Sequence, residues 1–373
     1  MKNKKGFTLI ELLAIIIILA IIAVITVPII LNIIENSKKG ATTASAYGYK
    51  DAVNKWYVTK LASDANYNIP NATYTTSELK NLGLSLSGKE PDSSSWVKIV
   101  NNEVVKGCLQ FDEYKVKITD GKISTGEKGT CAISGDFAND SWEEIKENIE
   151  IDRTVYPVGS RRQIQMDIDE NGENETYWIR IANTSIDGCE NLLSKSACGI
   201  VIEFENIITT HRYNATNTTA GGWPGSEMYQ FMNDDNENDI VSIYEKLPSD
   251  LRTIIIDTPT VSNHGRETTE DYYSIDKLYL VTRAELSGSD GTDTAASATR
   301  RLDIYQGTYS SDWGKKINGT TKYGNLALRT ISYQAIYRMV SSSQFSYLSS
   351  SGEGTMDASS TSFGVSPLFR IGE

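Results

Sequence analysis

The chain has 373 residues, which predicts two or three domains at roughly 150 residues per domain. Hydrophobic residues make up 39% and charged residues 23%, a composition that suits a globular protein and excludes a collagen-like, wholly disordered or multi-span membrane chain. The 36 basic and 48 acidic residues give a formal charge of −12, so we expect no nucleic-acid partner. Two histidines leave little material for histidine-based catalysis or metal binding.

The first feature along the chain is a long apolar segment. Of the 25 residues in 7–31, 21 are apolar, and roughly 20 apolar residues are enough for a helix to cross a bilayer. Lys2, Lys4 and Lys5 precede it, and by the positive-inside rule they keep the N-terminus in the cytoplasm. We therefore expect a single-pass membrane protein whose remaining bulk is extracytoplasmic.

A secretory signal peptide and an ordinary membrane anchor are the simpler interpretations of this segment. The apolar core of a signal peptide spans only about 7–15 residues and ends in a small-residue cleavage site, which this sequence lacks. Neither interpretation explains Glu11, because a carboxylate inside a membrane costs about 3 kcal/mol or more. A third interpretation stays open, in which Glu11 simply reaches the headgroup layer.

The residues around Glu11 carry a family resemblance. The run Lys5-Gly6-Phe7-Thr8-Leu9-Ile10-Glu11-Leu12-Leu13 resembles the processing and assembly signature of type IV pilins and pseudopilins. The resemblance implies a leader at 1–6, cleavage by a prepilin peptidase after Gly6, and N-methylation at Phe7. It also implies that Glu11 meets the terminal amine of another pilin subunit during filament assembly. The inner or cytoplasmic membrane is a further expected partner. Pro28 falls where many pilins carry a helix-kinking proline.

The segment 32–135 is predicted to form a pilin-like head. Apolar residues recur at roughly helical spacing to about Ala62, so the transmembrane helix should continue as an amphipathic helix. A loop is expected over 64–75 and a short helical turn over 77–80. Asp120-Gly121 is a hairpin signal within a set of short strands expected at 96–100, 104–110, 114–119 and 122–125. The resemblance to pilins likewise implies a long helix packed on a small antiparallel sheet.

Four cysteines favour two structural disulfides outside the cytoplasm, although reduced buried thiols remain the alternative. Cys108 and Cys131 bracket the predicted strands, and Cys189 and Cys198 are the second pair by proximity. Sequence alone allows three connectivities. No C-x-x-C motif occurs, which disfavours zinc-ribbon and thioredoxin-like sites.

The C-terminal half is predicted to be a separate mixed α+β domain over 151–373, which makes the whole chain α+β. A linker over 136–150 should contain a short helix at 142–150. Strands are expected at 163–168, 177–181, 199–204, 277–283 and 368–371. Helices are expected at 226–233, 240–246 and 249–256. The segments 287–300 and 341–364 are rich in small polar residues and should be solvated hairpins and loops.

Residues from about 150 to 373 resemble a bacterial surface-protein domain of unknown function that is often attached to pilin-type N-termini. The resemblance is carried by 177–184, 221–228, 247–251, 262–265, 276–280 and 364–367. It implies no established activity. Where that family tends to have Trp-Trp-Leu-Arg-Ser, this chain has Leu326-Ala327-Leu328-Arg329-Thr330, so an aromatic platform is missing. The closing 364–371 is also weakly similar to the last strand of lectin-like and formylglycine-enzyme-like folds.

Motifs for catalysis are lacking. No G-x-S-x-G, H-E-x-x-H, phosphate-binding loop or dinucleotide fingerprint occurs, so we expect no enzyme, catalytic residue or cofactor. His211 and His264 lie among polar residues and are expected to be structural or solvent-exposed.

Two patterns in the C-terminal half are compatible with ligand binding. Asp167-x-Asp169-x-Asn171-Gly172 reproduces the first half of a calcium loop, but Trp178 stands at the twelfth position, and a polar hairpin explains the same residues. We therefore assign no metal ligand. Trp178, Trp223 and Trp313 are either a glycan-stacking surface or core residues.

Our first hypothesis is a prepilin-like subunit of a type IV pilus or of a pseudopilus for secretion or competence, displaying a large extracellular domain at the cell surface or on the filament. The size of that domain favours a minor or tip subunit. The alternative is a surface adhesin for a glycan or wall polymer presented on a pilin anchor. An extracellular enzyme is the third hypothesis, and no motif supports it.

Overall fold

The computed structural model describes residues 8–233, 241–263, 270–288, 300–309, 312–331, 343–349 and 352–372. The chain divides into two compact units, Met1–Ile133 and Ser134–Glu373. The architecture is α+β, as predicted, with one long helix and an antiparallel sheet in the first unit. Gly6, Phe7, His264 and most of the segment 287–300 lie outside the described residues.

Helix α1, Leu9–Ser63, is one uninterrupted helix of 55 residues. Thr8 begins it as an N-cap residue that forms a reciprocal capping box with Glu11. Pro28 lies inside the helix, where its missing N–H removes one backbone hydrogen bond. The prediction that the membrane helix continues to about Ala62 is confirmed.

The sheet of the first unit is antiparallel, in the order β1-β2-β3-β4-β5, with β6 also paired to β4. Asp120 and Gly121 both have positive φ, at 48° and 70°, as the two-residue hairpin turn between β4 and β5 requires. A short helix α2, Thr76–Asn81, follows β1. The strands are β1 Ala72–Thr75, β2 Trp96–Val100, β3 Glu103–Phe111, β4 Tyr114–Thr119, β5 Lys122–Ile123 and β6 Glu127–Lys128.

Two details of the predicted head were wrong. The segment 64–75 is not entirely a loop, because Ala72–Thr75 pairs along its whole length with β2. Its Ala-Thr-Tyr-Thr sequence suits a strand, but a four-residue strand is specified mainly by the edge on which it docks. The last predicted strand, 122–125, is shorter than expected and ends at Ile123.

One face of α1 packs on this sheet and forms the core of the first unit. The buried helix residues recur at intervals of three and four, the spacing of a single helical face. Gly126 permits a close approach, since a Cβ there would lie 2.7 Å from the carbonyl oxygen of Lys39. The Gly126 N–H donates to Thr43 Oγ1 at 2.9 Å. The buried helix residues are Thr42, Ala46, Tyr49, Val53, Trp56 and Tyr57.

The predicted linker, 136–150, lies inside the second unit instead. Its helix α3, Trp142–Ile151, is amphipathic and buries Trp142, Ile145 and Ile149 in the main core of that unit. Ser141 caps this helix through a capping box with Glu144. Because apolar residues recur at i, i+3 and i+7, the helix needs a partner surface and cannot serve as a solvated linker.

The described residues of the second unit form three sheets. A four-stranded antiparallel sheet has the order β17-β9-β8-β7, and a five-stranded sheet has the order β10-β16-β13-β14-β15, in which β13 and β16 are parallel. β11 and β12 form a two-stranded sheet. The strands are β7 Arg161–Met166, β8 Glu175–Asn183, β9 Ile200–Phe204, β10 Thr209–His211, β11 Thr258–Ser262, β12 Tyr272–Asp276, β13 Asn325–Ile331, β14 Gln344–Ser349, β15 Gly352–Asp357, β16 Phe363–Val365 and β17 Leu368–Ile371.

The helices of the second unit after α3 are short, and one predicted strand is not formed. The segment 277–283 makes only an isolated bridge between Tyr279 and Leu368. Thr282 then caps a helix through Glu285, which ends the extended segment. The helices predicted at 240–246 and 249–256 are each reduced to one turn. The helices are α4 Glu227–Asn233, α5 Ile243–Lys246, α6 Ser249–Arg252 and α7 Arg283–Ser287.

The serine-rich segment 341–364 contains a hairpin, as predicted, formed by β14 and β15. It is less solvated than expected, because Phe345 and Leu348 are buried. Two core residues therefore lie within this serine-rich segment; they are three positions apart on β14 and belong to two different core clusters.

Both predicted disulfides are present, Cys108–Cys131 and Cys189–Cys198. We expect the double variant Cys108→Ser/Cys131→Ser to destabilise the first unit by roughly 3 kcal/mol, because the disulfide closes a long loop in the unfolded chain. Hydrogen exchange of β3 and β4 peptides in the full-length protein measures this change. The matched control, Cys189→Ser/Cys198→Ser, should leave those peptides unchanged. Equal protection in all three proteins would contradict the prediction.

Candidate functional site

The N-terminal part of α1 is an apolar surface that the chain leaves uncovered. Every residue from Thr8 to Ile34 is exposed, whereas Thr42 is the first buried residue of the helix. An 18-residue window of α1 has a mean hydropathy of 3.3, and none of it is buried. A helix that is apolar on every side belongs in a membrane or in contact with other helices. By length and composition this helix can cross a membrane.

Glu11 lies at the head of this uncovered helix. Its Oε2 accepts hydrogen bonds from the backbone N–H and the hydroxyl of Thr8, each at 2.9 Å. The Glu11 N–H donates in return to Thr8 Oγ1 at 3.3 Å. Among the described residues, none donates a hydrogen bond to the other carboxylate oxygen, Oε1. The capping box therefore fixes the carboxylate and leaves one oxygen for a partner.

Thr8 is a site residue that the sequence analysis did not single out. A threonine followed three residues later by glutamate, ahead of an apolar run, is the sequence signature of a capping box. The pattern Thr8-x-x-Glu11 is present in the sequence, but we interpreted Glu11 as a charge in a membrane segment and as part of the pilin-like signature, and not as a capping residue. The capping box shows that Glu11 also stabilises the N-terminal end of the helix.

Pro28 lies far from Glu11 on the same exposed segment. Seventeen residues of α-helix separate the two by about 25 Å along the axis. Two residues before the proline, the Thr26 hydroxyl donates to the carbonyl of Ile22 at 2.9 Å. Glu11 and Pro28 therefore belong to the same helix but not to one site.

Comparison with known families agrees with this geometry. Residues 1–27 match the prokaryotic N-terminal methylation motif. The chain carries a prepilin-type processing segment. The match includes Gly6, Phe7 and Glu11, and together with α1 it indicates a membrane-anchored, single-pass protein of the kind that prepilin peptidases process.

The C-terminal part also matches a family. Residues 199–372 match a domain of unknown function, DUF6273. The match begins later than the resemblance expected from about residue 150, although β7 and β8 belong to the same sheet as β9. No curated protein and no solved structure matches the chain.

A buried ionic cluster lies within the second unit and was not predicted. Glu203 on β9 is fully buried, and its two carboxylate oxygens contact Arg180 at 2.6 Å and Lys315 at 2.8 Å. The hydroxyl of Tyr305 donates to Glu203 at 2.7 Å. Burial alone would raise the pKa of Glu203, but the charges of Lys315 and Arg180 lower it to about 2. The only sequence signal was an acid inside the apolar run Ile-Val-Ile-Glu-Phe.

A second buried ion pair occupies the segment where the family's aromatic platform is missing. Arg329 on β13 is fully buried and pairs with Glu285 of α7 at 3.0 Å. Its guanidinium also donates to Ser196 Oγ at 2.9 Å and to the carbonyl of Leu280. These contacts join three separate parts of the chain. Since no face of Arg329 reaches the solvent, the pair supports the fold and does not line a site.

His211 has the structural placement that we expected. Its ring stacks on Phe231 at a centroid distance of 4.1 Å, and its Nδ1 lies 2.6 Å from the carbonyl oxygen of Arg212. Burial lowers the pKa of the His211 imidazole, which favours the neutral ring.

The three tryptophans do not form one glycan-binding surface. Trp223 is fully buried and donates through Nε1 to Asp276 at 2.9 Å, so its ring is not available for stacking. Trp178 is half-buried, with the guanidinium of Arg161 4.2 Å from its ring centroid. Trp313 is half-buried against the core. The core interpretation therefore holds for Trp223.

The acidic loop at Asp167 is a polar hairpin between β7 and β8. Both carboxylate oxygens of Asp167 accept backbone N–H groups, from Asn171 at 3.1 Å and Gly172 at 2.8 Å. Asp169 also accepts the Asn171 N–H, at 3.3 Å. Within the described parts of the chain, no three His, Cys, Asp or Glu side chains converge to hold a metal ion. The hairpin alternative accounts for all of these residues.

The Glu203 cluster generates a prediction for stability. Its lowered pKa means that the ionised carboxylate stabilises the fold above about pH 5, and that this stabilisation is lost as the pH falls towards 2. We expect Glu203→Gln to destabilise the second unit by about 3 kcal/mol or more at pH 7, because the change breaks a buried ion pair. It should also flatten the acid side of the stability profile, measured by thermal unfolding.

The matched control is the neighbouring acid on the same stretch of chain. Glu205 pairs with Arg161; the Glu205 side chain is 14% exposed and that of Arg161 is 51% exposed, so this pair reaches the solvent, unlike the pair of Glu203 with Lys315. We expect Glu205→Gln to cost no more than about 1 kcal/mol. If both variants lose the same stability and keep the same pH profile, the assignment of Glu203 is wrong.

Proposed function

We propose that the chain is a prepilin-like subunit of a type IV pilus or pseudopilus. In this proposal a prepilin peptidase cuts after Gly6, and the new N-terminus is methylated at Phe7. The match of 1–27 to the methylation motif carries the proposal, and the uncovered helix 9–34 supports it. Secretion or competence machinery and a surface pilus both use this chemistry, so the proposal covers both.

The capping box supports a role for Glu11 in assembly. Cleavage after Gly6 places a cationic amine on Phe7, the residue directly before the N-cap Thr8. In a low-dielectric bundle of apolar helices this amine needs a partner, and an unpaired buried charge is strongly destabilising. Thr8 holds one oxygen of Glu11 and leaves Oε1 for the amine of a neighbouring subunit. The pair sets the register between helices more than it adds net stability.

In this proposal the second unit is displayed outside the cytoplasm. The lysines of the leader favour a cytoplasmic N-terminus, and the two disulfides suit an oxidising compartment. The second unit spans 240 residues, against 133 for the unit that contains α1. Such a size favours a minor or tip subunit over a close-packed major one.

We assign the second unit a display role and not a catalytic one. Its most deeply buried charge pairs, Glu203 with Lys315 and Glu285 with Arg329, connect strands and loops inside the fold. Catalytic groups must be able to contact a substrate, and side chains that are fully or almost fully buried are not accessible to one.

A charge deletion on α1 tests the proposal. We expect Glu11→Ala to be cleaved at the normal site, because the change leaves Gly6 and Phe7 intact, but to enter filaments at least about tenfold less, since the amine loses its partner. Sheared filament fractions compared with membrane fractions measure incorporation.

The matched control is the next acid along the same helix. Glu35 pairs with Lys39 at 2.8 Å on a part-exposed surface, so Glu35→Ala should be cleaved and incorporated normally. Normal incorporation of Glu11→Ala, or an equal defect in both variants, contradicts the role of Glu11.

A further inference from the structure

The charge of the chain is divided unevenly between its two units. Residues 134–373 contain 36 acidic and 20 basic side chains, a formal charge of −16. Residues 7–133, which remain in the first unit after the proposed cleavage, contain 12 acidic and 13 basic side chains. The whole negative charge of the protein therefore belongs to the second unit.

The surplus is not neutralised in the core. Among the described residues of the second unit, three acidic side chains are buried, Glu203, Asp276 and Glu285. Three basic side chains are buried as well, Lys315, Arg329 and Arg370. Because these buried charges balance, the surplus of negative charge among the described residues of the second unit lies on the solvent-exposed surface.

Packing of α1 in a filament would bring copies of this surface together. Helices in a bundle lie about 8–10 Å apart. A 240-residue unit has a radius of gyration of about 18 Å, which is larger than this spacing. Copies tethered to adjacent helices therefore come into contact where they lie at the same level of the filament. At physiological salt the Debye length is about 8 Å, which does not screen charges on surfaces in contact.

We propose that the surface of the second unit disfavours a neighbour of its own kind and fits a subunit whose exposed domain is basic. The chain then enters a filament singly, between or above other subunits, and homotypic contact depends on ionic strength. This inference rests on the proposed function, because it assumes that α1 packs in a bundle. It goes beyond the argument from domain size, because steric exclusion by a large domain does not depend on the salt concentration.

Self-association of the full-length, processed protein in detergent tests the inference. Sedimentation is compared at about 10 mM salt, where the Debye length is about 30 Å, and at about 1 M, where it is about 3 Å. We expect association to be at least about tenfold weaker at low salt. Since salt also strengthens apolar contacts, a charge variant is needed to isolate the electrostatic part.

The variant reverses three exposed acids of the second unit, Glu173→Lys, Asp187→Lys and Glu190→Lys, and changes its charge from −16 to −10. The matched control, Glu173→Asp, Asp187→Glu and Glu190→Asp, keeps the charge. At low salt the charge-reversal variant should associate more strongly than the control. At high salt the two proteins should associate equally. Equal association of the two at low salt overturns the inference while the proposed function stands. Absence of association of either protein at any salt also overturns the inference, because there is then no homotypic contact for the charge to weaken; the proposed function is tested separately by the Glu11→Ala variant.

Discussion

An apolar helix that its own chain does not cover determines the environment that this protein requires. Residues 9–34 of α1 are exposed and apolar, and only from Thr42 onwards does the helix have a sheet to pack on. Water is a poor solvent for such a surface, so the segment requires a bilayer or other helices. Glu11 makes the requirement more specific, because a carboxylate inside an apolar bundle of helices is costly without a cationic partner. In our proposal, cleavage after Gly6 creates that cation as the new amine of Phe7.

The second unit differs from α1 in how its charged and apolar groups are arranged. Its described residues include no exposed apolar helix, and its folded core includes charged groups that compensate each other, such as Glu203 with Arg180 and Lys315. Since the buried charges of the described residues balance, their excess of acidic residues lies on the surface. In the filament that we propose, α1 would hold the subunits together, and the acidic second unit would provide solubility and spacing.

Local patterns were predictable from the sequence, and features made by distant contacts were not. α1 and β4 follow from periodicity and turn residues, and both formed as predicted. The strand at Ala72 exists only because β2 offers an edge, and no local signal defines it. Lys315 lies 112 residues from Glu203, so their contact requires knowledge of the fold. Thr8 is a different case. Its capping motif is a local pattern in the sequence, but its importance became clear only when the structure showed that the helix it begins is exposed.

The state of the N-terminus tests the central claim most directly. Mass spectrometry of the protein purified from the membranes of its native host should find a chain that begins at Phe7 and carries a methyl group on its amine. A mature chain that still begins at Met1, or one cut elsewhere with an unmodified Phe7, would contradict the account. With that result, Glu11 would not have the amine of Phe7 as its cationic partner, and α1 would be interpreted as an ordinary membrane anchor.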